Sequence, residues 1–182
     1  ILGIYNPGLR SQYRPHFHWG YLHKIANNLA IAVNSLHVAG HIVGDINPKN
    51  ILVSSNTLVS LIDTDSFQIT DTRNGAKYRC RVGMPEYTPP ELQGLTRSSV
   101  DSEVVHDCFG LAVMIFQLLM HGHHPFMGAT LSPQQSSIAP TPADGIKAGI
   151  FPYHHSHPQL IPPPSAPSFK ALHPKLQELF IR

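Results

Sequence analysis

A chain of 182 residues with 42% hydrophobic content is long enough for one domain with a substantial core and too apolar for general disorder. The balance of 13 Lys and Arg against 11 Asp and Glu leaves a formal charge of +2 with no long basic run, which argues against a nucleic-acid partner, while 13 His residues make the charge sensitive to pH. Cys80 and Cys108 form no CxxC pair or zinc spacing, which fits a reducing cytoplasm, and no stretch reaches the ~20 apolar residues of a membrane span.

Residues 1–16, with Gly3, Pro7, Gly8 and Pro15, read as a loop or linker. The chain starts at Ile and lacks a charged leader followed by an apolar core, so it is expected to be an internal piece of a longer protein. From Phe17 the pattern changes. Trp19, Leu22, Ile25, Ala26, Leu29, Ala30, Val33 and Leu36 recur at steps of three and four, one face of a helix that reaches Val38 and stops at Gly40. Two short β runs, Ile51 to Val53 and Leu58 to Ile62, flank the polar turn SSNT and predict a small hairpin.

Residues 70–90 hold no clear period and predict a long surface loop closing on YTPPELQG. Asp107 to His121 is the strongest apolar segment, a buried helix ended by Gly122 and Pro125, with Cys108 as a small core residue and Asp107 as a candidate cap. Residues 132–168 are rich in Pro, Ser, Gln and His and predict loop with one embedded helix near GIKAGIFPY. A last amphipathic helix begins near Pro174, with Leu176, Leu179 and Phe180 on one face. The histidines His121, His123, His124, His154, His155 and His157 lack the i, i+4 spacing of a zinc enzyme and are expected to be solvated loop residues.

The chemistry concentrates in HIVGDINPKNILV and LIDTDSFQI. Asp45, Asn50 and Asp63 are three oxygen donors delivered from a helix-to-strand turn and from the end of a hairpin. A hard cation such as Mg2+ takes oxygen ligands, one or two of them protein carboxylates, with the remainder from water and substrate phosphates. Asx residues also cap turns readily, so each of these taken alone could be structural.

The stretch LHVAGHIVGDINPKNILV followed by LIDTDS resembles the catalytic loop and metal-binding loop of the protein kinase fold, H-R-D-x-x-x-x-N and D-F-G. The segment VGMPEYTPPELQG looks like the end of an activation segment, with PPE where A-P-E normally stands. HDCFGLAVMIFQLLMHGHHPF resembles the central buried helix of the large lobe, with Asp107 in the place of the Asp that holds the catalytic loop's backbone. LIDTDSFQI and YTPPELQG are similar to a bacterial branch of eukaryotic-like kinases with D-x-D-S-F in place of D-F-G. The resemblance spans residues 17–182 and implies an α+β, mainly helical, kinase-like C-terminal lobe with a small β-hairpin, truncated at both ends, with residues 1–16 a linker or hinge remnant.

The resemblance implies a cytoplasmic Ser/Thr protein kinase using ATP and Mg2+ on a protein substrate. Asp45 would be the catalytic base, Asn50 and Asp63 would hold Mg2+ against the ATP phosphates, and Glu91 would be a structural anchor. The departures are specific. Val43 and Gly44 replace the His and Arg before the catalytic Asp, which puts control by loop phosphorylation in doubt. Asn47 replaces the Lys two residues after that Asp, and Lys49 could substitute only by turning inward. Asp65 would be either a further metal ligand or a solvated neighbour. No Gly-rich loop or V-A-I-K strand precedes residue 17, so the small lobe is expected to be absent and the isolated chain inactive. Two other readings stand beside this one: a pseudokinase binding module, and a small-molecule phosphotransferase of the aminoglycoside or choline kinase kind, against which YTPPELQG argues.

Overall fold

The structure is a computed structural model that describes residues 1–130, 140–154 and 160–181. The expected loop over residues 1–16 is instead two short helices, α1 (Leu2–Tyr5) and α2 (Pro7–Tyr13). Asn6 caps α2, its side chain accepting from the Gly8 and Leu9 amides at 2.8 and 3.2 Å, and Pro7 occupies the first turn. Proline and glycine signal breaks in a helix interior, but Pro just after an Asn cap starts one. Ile4 and Tyr5 enter the core, and the Tyr5 hydroxyl donates to Met114 Sδ at 3.0 Å.

Helix α3 (Trp19–Val38) follows the predicted stripe: Leu22, Ile25, Ala26, Leu29 and Val33 are buried, while Trp19 stays at the rim. Its end is closed by Gly40, whose φ of +79° lies in the left-handed region that glycine adopts without penalty. Strands β1 (Ile51–Val53) and β2 (Val59–Leu61) pair antiparallel, Ile51 opposite Leu61, as the expected hairpin. The segment read as a long loop over residues 70–90 contains most of a second hairpin: β3 (Ile69–Thr70) pairs with β4 (Lys77–Tyr78). Each strand is only two residues long, too short to leave a period in the sequence.

Helix α4 (Val104–Leu119) is the buried centre and packs against α3. It starts three residues earlier than expected, and its cap is Glu103, in a box with His106, rather than Asp107. Cys108 lies on the solvent side of the helix with Val104 and Val105, so it is exposed and the buried thiol is Cys80. Strand β5 (Ala129–Thr130) pairs with β6 (Leu160–Ile161), with α5 (Pro142–Lys147) between them and α6 (Pro174–Ile181) at the end. Leu176 and Phe180 of α6 pack on the core, but Leu179 is 60% exposed, because one turn of an eight-residue helix cannot bury all three. Phe116 gathers the rings of Tyr153, Phe180, Phe151 and Phe169 at centroid distances of 5.0, 5.1, 5.9 and 6.2 Å. The mainly helical layout with small hairpins is the one the resemblance implies, and among the described residues no sheet exceeds two strands.

Candidate active site

The loop from His41 to Asn50 is held from below by α4 and α3. Asp107 is 2% exposed and accepts the Val43 amide at 2.7 Å, the Gly44 amide at 2.8 Å and His37 Nε2 at 2.8 Å. A buried carboxylate needs this many donors, and the same bonds fix the backbone that leads into Asp45. Ile42 adds a two-way bridge to Gln68, at 3.0 and 2.9 Å, tying the loop to the stretch that follows Asp63 and Asp65.

Asp45 is 8% exposed and both of its carboxylate oxygens are occupied. Oδ2 accepts from Asn50 Nδ2 at 3.1 Å, and Oδ1 accepts the Met84 amide at 3.3 Å. Asn50 Nδ2 also reaches the Asp45 carbonyl at 3.1 Å, so the amide nitrogen is committed inward and the carboxamide oxygen is the atom left for a cation. Asn47 is 2% exposed and builds the turn instead of supplying charge: it donates to the Asp45 carbonyl at 3.3 Å and accepts the Lys49 amide at 2.9 Å. The Lys49 side chain is exposed and its amine makes no hydrogen bond or ion pair among the described residues.

The Asn50 carbonyl accepts the Ile62 amide at 3.0 Å, which places Asp63 next along the chain beside the Asp45–Asn50 pair. Asp63 has φ of +62°, and the tight turn behind it, a 3₁₀ turn over Thr64–Ser66, brings the Asp63 and Asp65 carboxyls into a hydrogen bond. That bond, and then the like charge of Asp65, raise the Asp63 pKa; Asp45 adds a smaller push in the same direction. The two neighbouring carboxyls are hard oxygen donors of the kind that Mg2+ takes. Both line a cavity of about 900 Å3 that Lys77, Arg79 and Arg81 also line. The sequence-predicted Asp45, Asn50, Asp63 and Asp65 are therefore brought together, and Lys49 is not.

Several contributors have no sequence signal at the site. His37 belongs to the polar side of α3, Met84 to an irregular segment, and Arg97 to a 3₁₀ turn over Arg97–Ser99, yet all three touch Asp45, its neighbours or the Asp that supports them. Glu91 is 53% exposed and lies 3.6 Å from His106 Nε2. Against expectation, His124 is buried: its Nε2 donates to the Glu86 carbonyl at 2.7 Å and its Nδ1 accepts the Phe126 amide at 3.2 Å, while burial pushes its pKa down to about 4. Among the described residues no three His, Cys, Asp or Glu side chains group as a metal site, and His155 and His157 lie outside them.

The protein kinase domain profile matches residues 9–159. Protein kinase YegI of Escherichia coli strain K12 is 45% identical over 130 residues, and that of Escherichia coli O157:H7 is 43% identical over 129. Each match covers 70% of this chain and 20% of the relative, so the chain spans about a fifth of the length of these relatives. Serine/threonine-protein kinase PKH1 of Saccharomyces cerevisiae is 34% identical over 116 residues, 57% of this chain and 14% of that protein. With the profile covering most of its length and the catalytic-loop and metal-loop residues converging in space, the chain belongs to the protein kinase domain family.

Proposed function

We propose that the polypeptide carrying this chain is a protein Ser/Thr kinase of the bacterial kind with D-x-D-S-F in place of D-F-G, transferring the ATP γ-phosphate to a protein hydroxyl. The observation that carries the reading is the Asn50 carboxamide bonded at 3.1 Å to the Asp45 carboxylate while its backbone holds the strand that delivers Asp63. Asp45 accepts and orients the acceptor hydroxyl; the Asn50 amide holds that carboxylate in place. Asn50 and Asp63, with Asp65 beside them, would hold Mg2+, whose chemistry is to neutralise the phosphate charge. The segment from Met84 to Leu92 covers Asp45 and is anchored by the Tyr87 hydroxyl donating to Gln117 at 3.0 Å and by His124, which supports a peptide acceptor over a small molecule. Residues 17–182 act in this reading as the C-terminal lobe. The chain by itself is inactive, because no Gly-rich loop or strand Lys is present to clamp the phosphates. No described helix is long and apolar enough to cross a membrane; a cytoplasmic location is proposed from the two unpaired cysteines.

A pseudokinase is the second reading, favoured by one observation: Asp45 is nearly buried, with both oxygens already taken by Asn50 and Met84. Phosphate transfer from Mg-ATP to an acceptor protein separates the two, measured on a polypeptide that includes the sequence upstream of this chain. Asp45→Asn is expected to lower the rate by about 10²–10⁴-fold. A rate untouched by that substitution removes Asp45 from the chemistry, and no transfer by the unsubstituted polypeptide favours the pseudokinase.

A further inference from the structure

The residue immediately before Asp45 is Gly44, and the fold leaves no room there for the arginine of the H-R-D pattern. Gly44 has φ of +76°, and a Cβ at that position would lie 2.7 Å from both Cβ and Sγ of Cys80. A guanidinium nevertheless reaches the same point from another part of the chain. Arg97, 53 residues further on, donates from Nη2 to the Gly44 carbonyl at 3.0 Å and to Ser102 Oγ at 3.0 Å. Its side chain also lies along the segment that leads to Met84: Nε and Cδ stand 3.4 and 3.7 Å from where a Gly83 Cβ would be, and the guanidinium borders Cys80.

Each of those contacts leads to the site. Gly44 precedes Asp45, and Gly83 precedes the Met84 amide that bonds Asp45 Oδ1 at 3.3 Å. Ser102 is locked to Gln68 by two bonds, 2.8 Å from its amide and 2.7 Å to its carbonyl, and Gln68 is the residue paired with Ile42. One permanently charged side chain thus joins the catalytic loop, the segment over it, and the approach to α4. Arg97 Nε is buried without a partner, so the guanidinium is held in place by this geometry and not by full satisfaction of its own donors.

We propose that Arg97 is a positioning residue that performs, from the opposite side, the clamping that position 44 cannot, and that the Cys80–Met84 segment is therefore held over Asp45 without phosphorylation. The catalytic consequence rests on the transfer reading given above; the clamp itself does not.

The two cysteines make the clamp measurable without turnover. Cys108 is exposed and Cys80 is 1% exposed beside Arg97. In the unsubstituted chain, iodoacetamide labelling followed by peptide mass spectrometry should modify Cys108 and spare Cys80. Arg97→Met should speed Cys80 labelling by about tenfold or more through local opening, with Cys108 and far-UV circular dichroism unchanged, and Arg97→Lys should restore most of the protection. Should Arg97→Met fail to fold, Ser102→Ala removes one of the two Nη2 bonds and should raise Cys80 labelling in the same direction. Protection of Cys80 that survives in folded Arg97→Met, or in folded Ser102→Ala where Arg97→Met does not fold, overturns the clamp.

In the longer polypeptide, Arg97→Met should lower kcat by about tenfold or more while KM for ATP stays within about twofold. Phosphatase treatment of the unsubstituted polypeptide should leave its rate unchanged; a rate lost on dephosphorylation overturns the phosphorylation-independent clamp. A polypeptide that never transfers phosphate yet shows the Cys80 effect sinks the kinase reading and leaves the clamp standing.

Discussion

His124 shows how a single side chain in this fold converts geometry into pH dependence. Its Nδ1 accepts the Phe126 amide and its Nε2 donates to Glu86, which fixes the neutral tautomer; a second proton would sit on Nδ1 and break the first bond. The folded chain refuses that proton until about pH 4, whereas the ordinary imidazole takes it near 6.5. Stability is then complete above the ordinary value and falls as pH drops from there toward 4, by about 3 kcal/mol. Urea unfolding at pH 7 and pH 4.5 should show a smaller acid loss in His124→Gln than in the unsubstituted chain. Asp63 has the opposite relation to acid. Its pKa is raised by the Asp65 carboxyl, so in the proposed Mg2+ site acid competes with the cation at a higher pH than at an ordinary Asp, and Mg2+ affinity should weaken as pH falls. Calorimetric Mg2+ titration at pH 5 and 7 checks this, and Asp65→Asn should flatten the difference.

At the scale of elements, the central device is a helix supporting a loop. Asp107, in the first turn of α4, accepts the His37 imidazole and two backbone amides of the loop that carries Asp45. Asp107→Ala should cost about 3 kcal/mol in urea unfolding, because two buried amides lose their acceptor and His37 its partner. The elements were unequally legible. The α3 stripe and the β1–β2 hairpin were visible because their periods repeat over enough residues to rise above accident. The loop signals of residues 1–16 mislead because Pro, and Asn before it, start helices as readily as they break them. Cys108 and Leu179 are exposed against expectation because apolar character says that a residue can be buried, not that a neighbour will cover it.

At the scale of the whole molecule, the core runs from α1 through α3 and α4 to α6, and Phe116, fully buried, joins the last of these to the rest. Phe116→Ala should destabilise the chain by about 4 kcal/mol, since four other rings lose their common contact and cannot all collapse into the gap. The β1–β2 hairpin leaves Leu52 53% exposed, Leu58 60% and Ile62 38%. Apolar groups concentrated on one hairpin favour association. Light scattering should therefore report a mass above the 20.1 kDa of one chain, rising with concentration, and Leu52→Ser should lower it.

The sequence by itself determined the order of the chemistry: Asp45, then Asn50 five residues on, then Asp63 thirteen beyond, between a long amphipathic helix and a short hairpin. Such features are legible because caps, periods and turn residues act on near neighbours along the chain. Only the tertiary structure decided that Arg97 meets Gly44, that His37 meets Asp107, and that the Met84 amide caps Asp45. These bonds join positions 39 to 70 residues apart, and each exists only once segments distant along the chain have packed together. Burial behaves the same way: whether a cysteine or a histidine is covered depends on what arrives from elsewhere in the chain, as Cys80 and His124 are and Cys108 is not.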